Sequence, residues 1–302
     1  MHRRFWGLLL VVTLNLLLLG SAKAGALRYC SATTPLTAAQ QDKILQFAAI
    51  AKAELEASGA ALAVLARSGL DLSYFNQRYS HAGISLQASQ NTPWSVRQLY
   101  YDCAEQMPRI FDQGLAGFVM GTDDPDKGFV SMLFLPQPQA SALERDAKNN
   151  ALSLRLLASQ YSANAYAFST LYQNCNQWLA ELLAVSFARL PANEHLRTRA
   201  QAWLAEQGYA ATTMRLVWRP LLWVTASSDL VHIDDHPQED LNALRMQVSM
   251  PNSIEAFVKA TIPGSRRVEI CRTPTHVVIR RGWDALEDNC TPATGDQVIR
   301  LD

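Results

Sequence analysis

The sequence predicts an α+β fold, and three observations carry that prediction. Apolar residues recur at helical spacing after a capping motif near residue 37. Short apolar runs bounded by turn residues recur from residue 61 onward and read as strands. A second strong helical period begins at Cys175 and stops at Pro191.

Taken in order, Thr37 and Gln40 have the spacing of a capping box. Ile44, Phe47, Ala48, Ala51 and Leu55 follow as one apolar stripe, and Gly59 is the expected stop. Residues 61–67 read as a strand ended by a Ser68-Gly69 turn. Residues 81–86 form a second strand, and 94–101 a third, introduced by Asn91-Thr92-Pro93. Residues 128–135 form a fourth, closed by Pro136 and Pro138. Residues 140–159 have helical composition. In the helix from about 175 to 190, Trp178, Leu179, Leu182, Leu183, Phe187 and Leu190 recur with helical period. Residues 195–207 read as a helix ended by Gly208, and 214–225 as a strand. Ser253 is placed to cap a short helix through Ala260. Strands at 268–272, 276–281 and 297–301 close the chain, and a soft boundary falls near 191–193.

The first 24 residues read as a cleavable secretory leader rather than as part of the fold. His2, Arg3 and Arg4 make a basic start, 8–19 is a short apolar run, and Ala22-Lys23-Ala24 is a small-x-small cleavage signal. The alternative is an uncleaved anchor. The chain from 25 to 302 is then a single exported domain, with a core over 25–191 and a C-terminal lobe or extension over 192–302. No second apolar stretch has transmembrane length. In a Gram-negative source this places the protein in the periplasm. Without Arg3, Arg4 and Lys23, 24 basic residues face 27 acidic ones, a net charge of −3. That balance argues against a nucleic-acid partner and against electrostatic adhesion to anionic lipid. An envelope substrate or ligand is the expected partner, and no cofactor is expected.

Five cysteines, Cys30, Cys103, Cys175, Cys271 and Cys290, leave one unpaired in an oxidising compartment. Cys271 and Cys290 flank a predicted hairpin, which suggests one bridge and leaves Cys30 and Cys103 for the second. Four cysteines allow three connectivities, so this pairing is an expectation. Cys175 is then the free thiol.

Two polar settings stand out. One is Arg78-Tyr79-Ser80-His81-Ala82-Gly83-Ile84, and the other is Tyr172-Gln173-Asn174-Cys175-Asn176-Gln177-Trp178. A thiol in the first turn of a helix, facing an imidazole, is the arrangement that activates a cysteine nucleophile. Asn174 is the expected N-cap, and the Cys175 N–H lacks a helical partner and suits an oxyanion. A thiolate–imidazolium pair with His81 is expected. The strand after His81 offers Arg97, Gln98 and Tyr100 to orient the ring. Gln98 is preferred because an amide oxygen can accept the second imidazole N–H, whereas Arg97 cannot accept. The competing reading makes Cys175 a small core residue and His81 a hydrogen-bonded structural group.

Tyr79-Ser80-His81-Ala82-Gly83-Ile84 followed much later by Asn174-Cys175 resembles the circularly permuted papain-like folds, including permuted NlpC-type peptidases and lecithin:retinol acyltransferase-like proteins. In those groups the histidine strand precedes the cysteine helix. The resemblance spans about residues 62–190. It implies an antiparallel sheet packed on the cysteine helix, with an N-terminal helix and a C-terminal α/β extension. The strand after His81 lacks the histidine, aspartate or asparagine of a complete triad. Nearly the whole mature chain also resembles the bacterial domain of unknown function 2145, in segments such as Ser68-Gly69-Leu70-Asp71-Leu72-Ser73, Pro93-Trp94-Ser95-Val96-Arg97-Gln98-Leu99-Tyr100-Tyr101 and Tyr161-Ser162-Ala163-Asn164-Ala165-Tyr166-Ala167-Phe168. That resemblance implies no activity.

A further cluster, His232-Ile233-Asp234-Asp235-His236, carries residue types that bind zinc-like ions. In an extended segment His232, Asp234 and His236 would share a face. The alternative is a solvated loop that caps a helix from Pro237 onward. Three readings of function follow. The first is a cysteine hydrolase or acyltransferase acting on an amide, ester or thioester, with peptidoglycan peptides or acyl lipids as candidate substrates. The second is a non-catalytic envelope binding or scaffold protein. The third is a metal-dependent hydrolase at His232, Asp234 and His236.

Overall fold

The structure is a computed structural model that describes Cys30, residues 35–219, Leu222 and residues 230–302. The leader expected over 1–24 lies outside the described residues. Among the described residues no helix is long and apolar enough to cross a membrane.

The class is α+β, built on one large antiparallel sheet. Its strands are β1 (Leu62–Arg67), β2 (His81–Leu86), β3 (Ser95–Asp102), β4 (Met107–Gln113), β5 (Gly128–Phe134), β8 (Arg266–Arg272), β9 (His276–Arg281) and β10 (Gln297–Arg300). Their spatial order is β10-β9-β8-β5-β1-β2-β3-β4. Every neighbouring pair is antiparallel. The C-terminal strands therefore extend the core sheet by pairing β8 with β5. A separate hairpin joins β6 (Thr212–Arg215) to β7 (Arg245–Val248).

Helices cover both faces of the large sheet, as its buried alternation demands. On one face lie α1 (Ala38–Ala57) and α2 (Leu115–Met120). Their Phe47, Ala51, Leu55 and Phe118 pack with Ala63, Leu65 and Val96 of the strands. On the other face lie α3 (Gln139–Ala147), α4 (Asn150–Arg155), α5 (Cys175–Ala188), α6 (Leu196–Glu206) and α8 (Pro251–Thr261), while the short α7 (Gln238–Asn242) leads into β7. Trp178, Leu179 and Leu183 of α5 pack with Ala82, Ile84 and Leu99 there. The capping box of α1 forms as the sequence predicts, with Thr37 and Gln40 bonding reciprocally. Gly59 follows its C-cap with φ +67°, a conformation that favours glycine.

The departures have local causes. The helix expected over 140–159 breaks in two, because Asn149 takes an extended backbone and its side chain caps α4 through the Leu152 N–H, 3.1 Å away. Strand β4, which contains Pro108, lies at the sheet edge, where a missing N–H is tolerated. Trp94 has φ 65°, so β3 starts one residue later than expected. Only the first part of the strand expected over 214–225 forms, within β6, and most of 220–229 lies outside the described residues. Ser253 does not cap α8. Pro251 starts that helix after Met250, and the Ser253 hydroxyl instead meets that of Thr212 at 2.6 Å.

Candidate active site

Cys175 is the first residue of α5. Asn174 caps the helix, its side-chain oxygen accepting the Gln177 N–H at 2.8 Å. Upstream, Gln173 donates to the Leu156 carbonyl (3.0 Å) and to Glu181 (2.6 Å), which fixes the segment entering the helix. Two contacts then bracket His81. The Ala82 N–H points to the Cys175 sulfur, and Asn176 Nδ2 donates to the Ser80 carbonyl at 3.2 Å. The first turn of α5 is thereby clamped to the start of β2 on either side of the histidine. The N–H groups of Asn176 and of Cys175 itself also face the sulfur.

His81 Nε2 bonds the Oε1 of Gln98, the orienting residue expected from the sequence. Gln98 is itself held by its Nε2, which donates to Gln113 Oε1 at 2.9 Å. With the Gln98 oxygen facing the ring, Nε2 carries the proton and Nδ1 the lone pair. Gly83 makes room for this pairing. A Cβ there would lie 2.7 Å from Val96 Cγ1 and 3.1 Å from Gln98 Cβ. Strand alternation turns His81 and Gly83 toward the α2 side, where the His81 ring centroid lies 5.9 Å from that of Phe118. Ala82 and Ile84 turn toward Cys175 and α5. Among the described residues no hydrogen bond or ion pair joins Cys175 to His81 or Gln98. The structure unites His81 with Gln98, and Cys175 with the backbone on both sides of His81.

Burial sets the charge state. It pushes the Cys175 thiol up to about 11, although Arg67 and the three N–H groups pull the other way. It pushes the His81 imidazole down to about 3, aided by the Arg67 charge and opposed by Gln98. Cys175 is 5% exposed and His81 6%. Near neutral pH both are uncharged, so the expected thiolate–imidazolium pair is not the resting state. Arg67 is the cross-strand partner of His81 and sits over the Phe118 ring at 5.4 Å. The sequence reading missed Arg67, Gln113 and Asn176. Only Asn176 had a signal, its place next to Cys175.

The cysteines pair as expected, Cys30 with Cys103 and Cys271 with Cys290, and Cys175 is free. The histidine–aspartate cluster sends its side chains to separate partners. Among the described residues no group of three or more potential ligands gathers. The segment turns, with the His236 N–H on the Ile233 carbonyl, and is not extended. The His232 ring stacks on Tyr172 at 4.4 Å, Asp234 accepts from the Tyr172 hydroxyl, and His236 Nε2 donates to the Asn164 carbonyl at 2.8 Å.

A cleft of about 1060 Å³ opens beside the start of β2, with Arg78 and Tyr79 in its wall but neither His81 nor Cys175. Its floor holds Glu269, which is fully buried. Glu269 accepts from the Tyr79 hydroxyl, from Arg78 at 2.8 Å and from the Leu286 N–H at 2.7 Å, with Arg267 at 3.1 Å. Burial alone would raise its carboxyl, but these donors outweigh it and hold Glu269 below the ordinary range. Glu269 is saturated and serves as a structural anchor.

The chain belongs to the DUF2145 family, uncharacterized proteins conserved in bacteria, whose sequence profile matches residues 54–258. No curated protein and no solved structure matches it.

Proposed function

We propose that this protein is an exported cysteine-dependent hydrolase or acyltransferase acting on an amide, ester or thioester. Cys175 is the nucleophile, His81 the acid–base and Gln98 the residue that orients the ring, in a permuted papain-like arrangement. The observation that carries this reading is the clamp of Cys175 and Asn176 around the His81 backbone, with the His81 ring already held by Gln98. The sulfur attacks the carbonyl carbon and forms an S–C bond. The bond to the leaving group breaks, and the thiol proton passes to that group with His81 as the acid–base, a role that requires the ring to turn from the α2 face of the sheet toward the α5 face. Water, or an acceptor alcohol or amine, then releases the acyl group and restores the thiol. Backbone N–H groups in the first turn of α5 suit the oxyanion.

Neither group is charged near neutral pH, so proton transfer accompanies the attack on the carbonyl rather than preceding it. The two disulfides suit an oxidising compartment and so support export, with envelope peptides or acyl lipids as substrates.

The test is a screen of p-nitrophenyl esters and coumarin amides with wild type and Cys175→Ala. Turnover lost in the variant, with an unchanged circular dichroism spectrum, supports the reading; equal turnover overturns it. A second reading, a non-catalytic envelope binding protein, is favoured by the burial of both groups and by the turn of the His81 ring toward Phe118.

A further inference from the structure

Asn176 is 2% exposed, and among the described residues its Oδ1 has no hydrogen-bond partner. The orientation of this amide is fixed. Nδ2 faces the Ser80 carbonyl, which can only accept, so the oxygen must point elsewhere. A buried acceptor without a donor is rare in folded proteins and costly to keep. This one stands in the first turn of a fourteen-residue helix, next to the free thiol and one residue from the chain around His81.

We propose that Asn176 Oδ1 receives the N–H of the scissile bond, so that this site takes primary or secondary amides in preference to esters and thioesters. The inference rests on Cys175 being the nucleophile. In the step it describes, the S–C bond forms and the C–N bond breaks. The thiol proton moves through His81 to the departing nitrogen, which leaves as an amine. The N–H bonded to Asn176 stays on that nitrogen throughout. An ester has no hydrogen at the corresponding oxygen and leaves the acceptor unpaired. Sites built to bond a substrate N–H reject analogues lacking it by large factors.

The experiment compares alkylation of Cys175 by 2-chloroacetamide and by methyl chloroacetate, followed by mass spectrometry of the intact protein. Each rate is divided by that of N-acetylcysteine with the same reagent. The expected amide-to-ester ratio in wild type is at least about tenfold above that of the free thiol. Asn176→Ala should return the ratio to the free-thiol value, and Asn176→Asp, which keeps an acceptor, should retain the preference. A wild-type ratio equal to that of the free thiol overturns the amide assignment and leaves Cys175 as nucleophile. A raised ratio that persists in Asn176→Ala overturns the role of Asn176. No labelling by either reagent overturns the cysteine reading and this inference with it. The wild-type ratio decides the matter even where a variant fails to fold.

Discussion

The neutral burial of His81 makes acid stability a direct probe of the site. Its imidazole titrates near 6.5 when unfolded and near 3 when folded. Above pH 6.5 neither state binds the proton, and the group contributes no pH dependence. As pH falls below 6.5 the unfolded chain takes up a proton that the folded chain refuses, so stability drops until about pH 3. Between pH 7.5 and 5.0 the linkage relation gives a loss of about 2 kcal/mol from this residue alone. His81→Asn removes the titration and retains an amide able to reach Gln98. Urea unfolding, followed by tryptophan fluorescence at both pH values, measures the difference. The wild type should lose about 2 kcal/mol more than the variant over this interval, because the other titrating groups cancel in the comparison. Equal pH dependence in the two proteins would refute the claim that the ring is buried and neutral.

Two further predictions follow from packing. Gly83→Ala puts a methyl group against Val96 and Gln98 and should cost about 1–3 kcal/mol by overpacking. It should also displace Gln98 from His81, read as a shift of the His81 ring resonances in NMR; unchanged resonances and stability would contradict the close approach. Glu181 is fully buried and accepts from Arg197 (2.8 and 3.1 Å), Gln201 (2.7 Å) and Gln173 (2.6 Å). Glu181→Ala strands the Arg197 charge and should cost about 3–5 kcal/mol in urea unfolding; a loss under about 1 kcal/mol would show that the network is dispensable.

Much of this architecture can be read from the chain because its signals are local. Thr37 and Gln40 are three residues apart, the α1 stripe has one period, and Cys175 follows its own cap. Gln98 was accessible by a chemical argument, since only an acceptor can serve the imidazole N–H. What stayed hidden depends on distant pairing. Arg67 meets His81 only through the β1–β2 register. Gln113 reaches Gln98 only because β4 closes the sheet edge. The His232–His236 cluster shows the limit of adjacency, because neighbouring ligand-type residues say nothing about direction; in the fold a turn sends their side chains to Tyr172 and Asn164. The charge state of the Cys175–His81 pair is likewise a property of burial, which no motif encodes.

The pairing of β8 with β5 bears on where the chain can be cut. The family profile ends at residue 258, inside α8, whereas β5 is bonded along all seven of its residues to β8, which starts at Arg266. A protein shortened to the profile boundary would keep β1 beside β5 and leave the other side of β5 bare. That strand, GFVSMLF, is buried at every position and carries no charge or proline. Such a segment is a template for other chains, so the shortened protein should assemble into β-rich aggregates. The same topology delays folding, because the sheet cannot close until residues near 272 are available to reach a strand near 128.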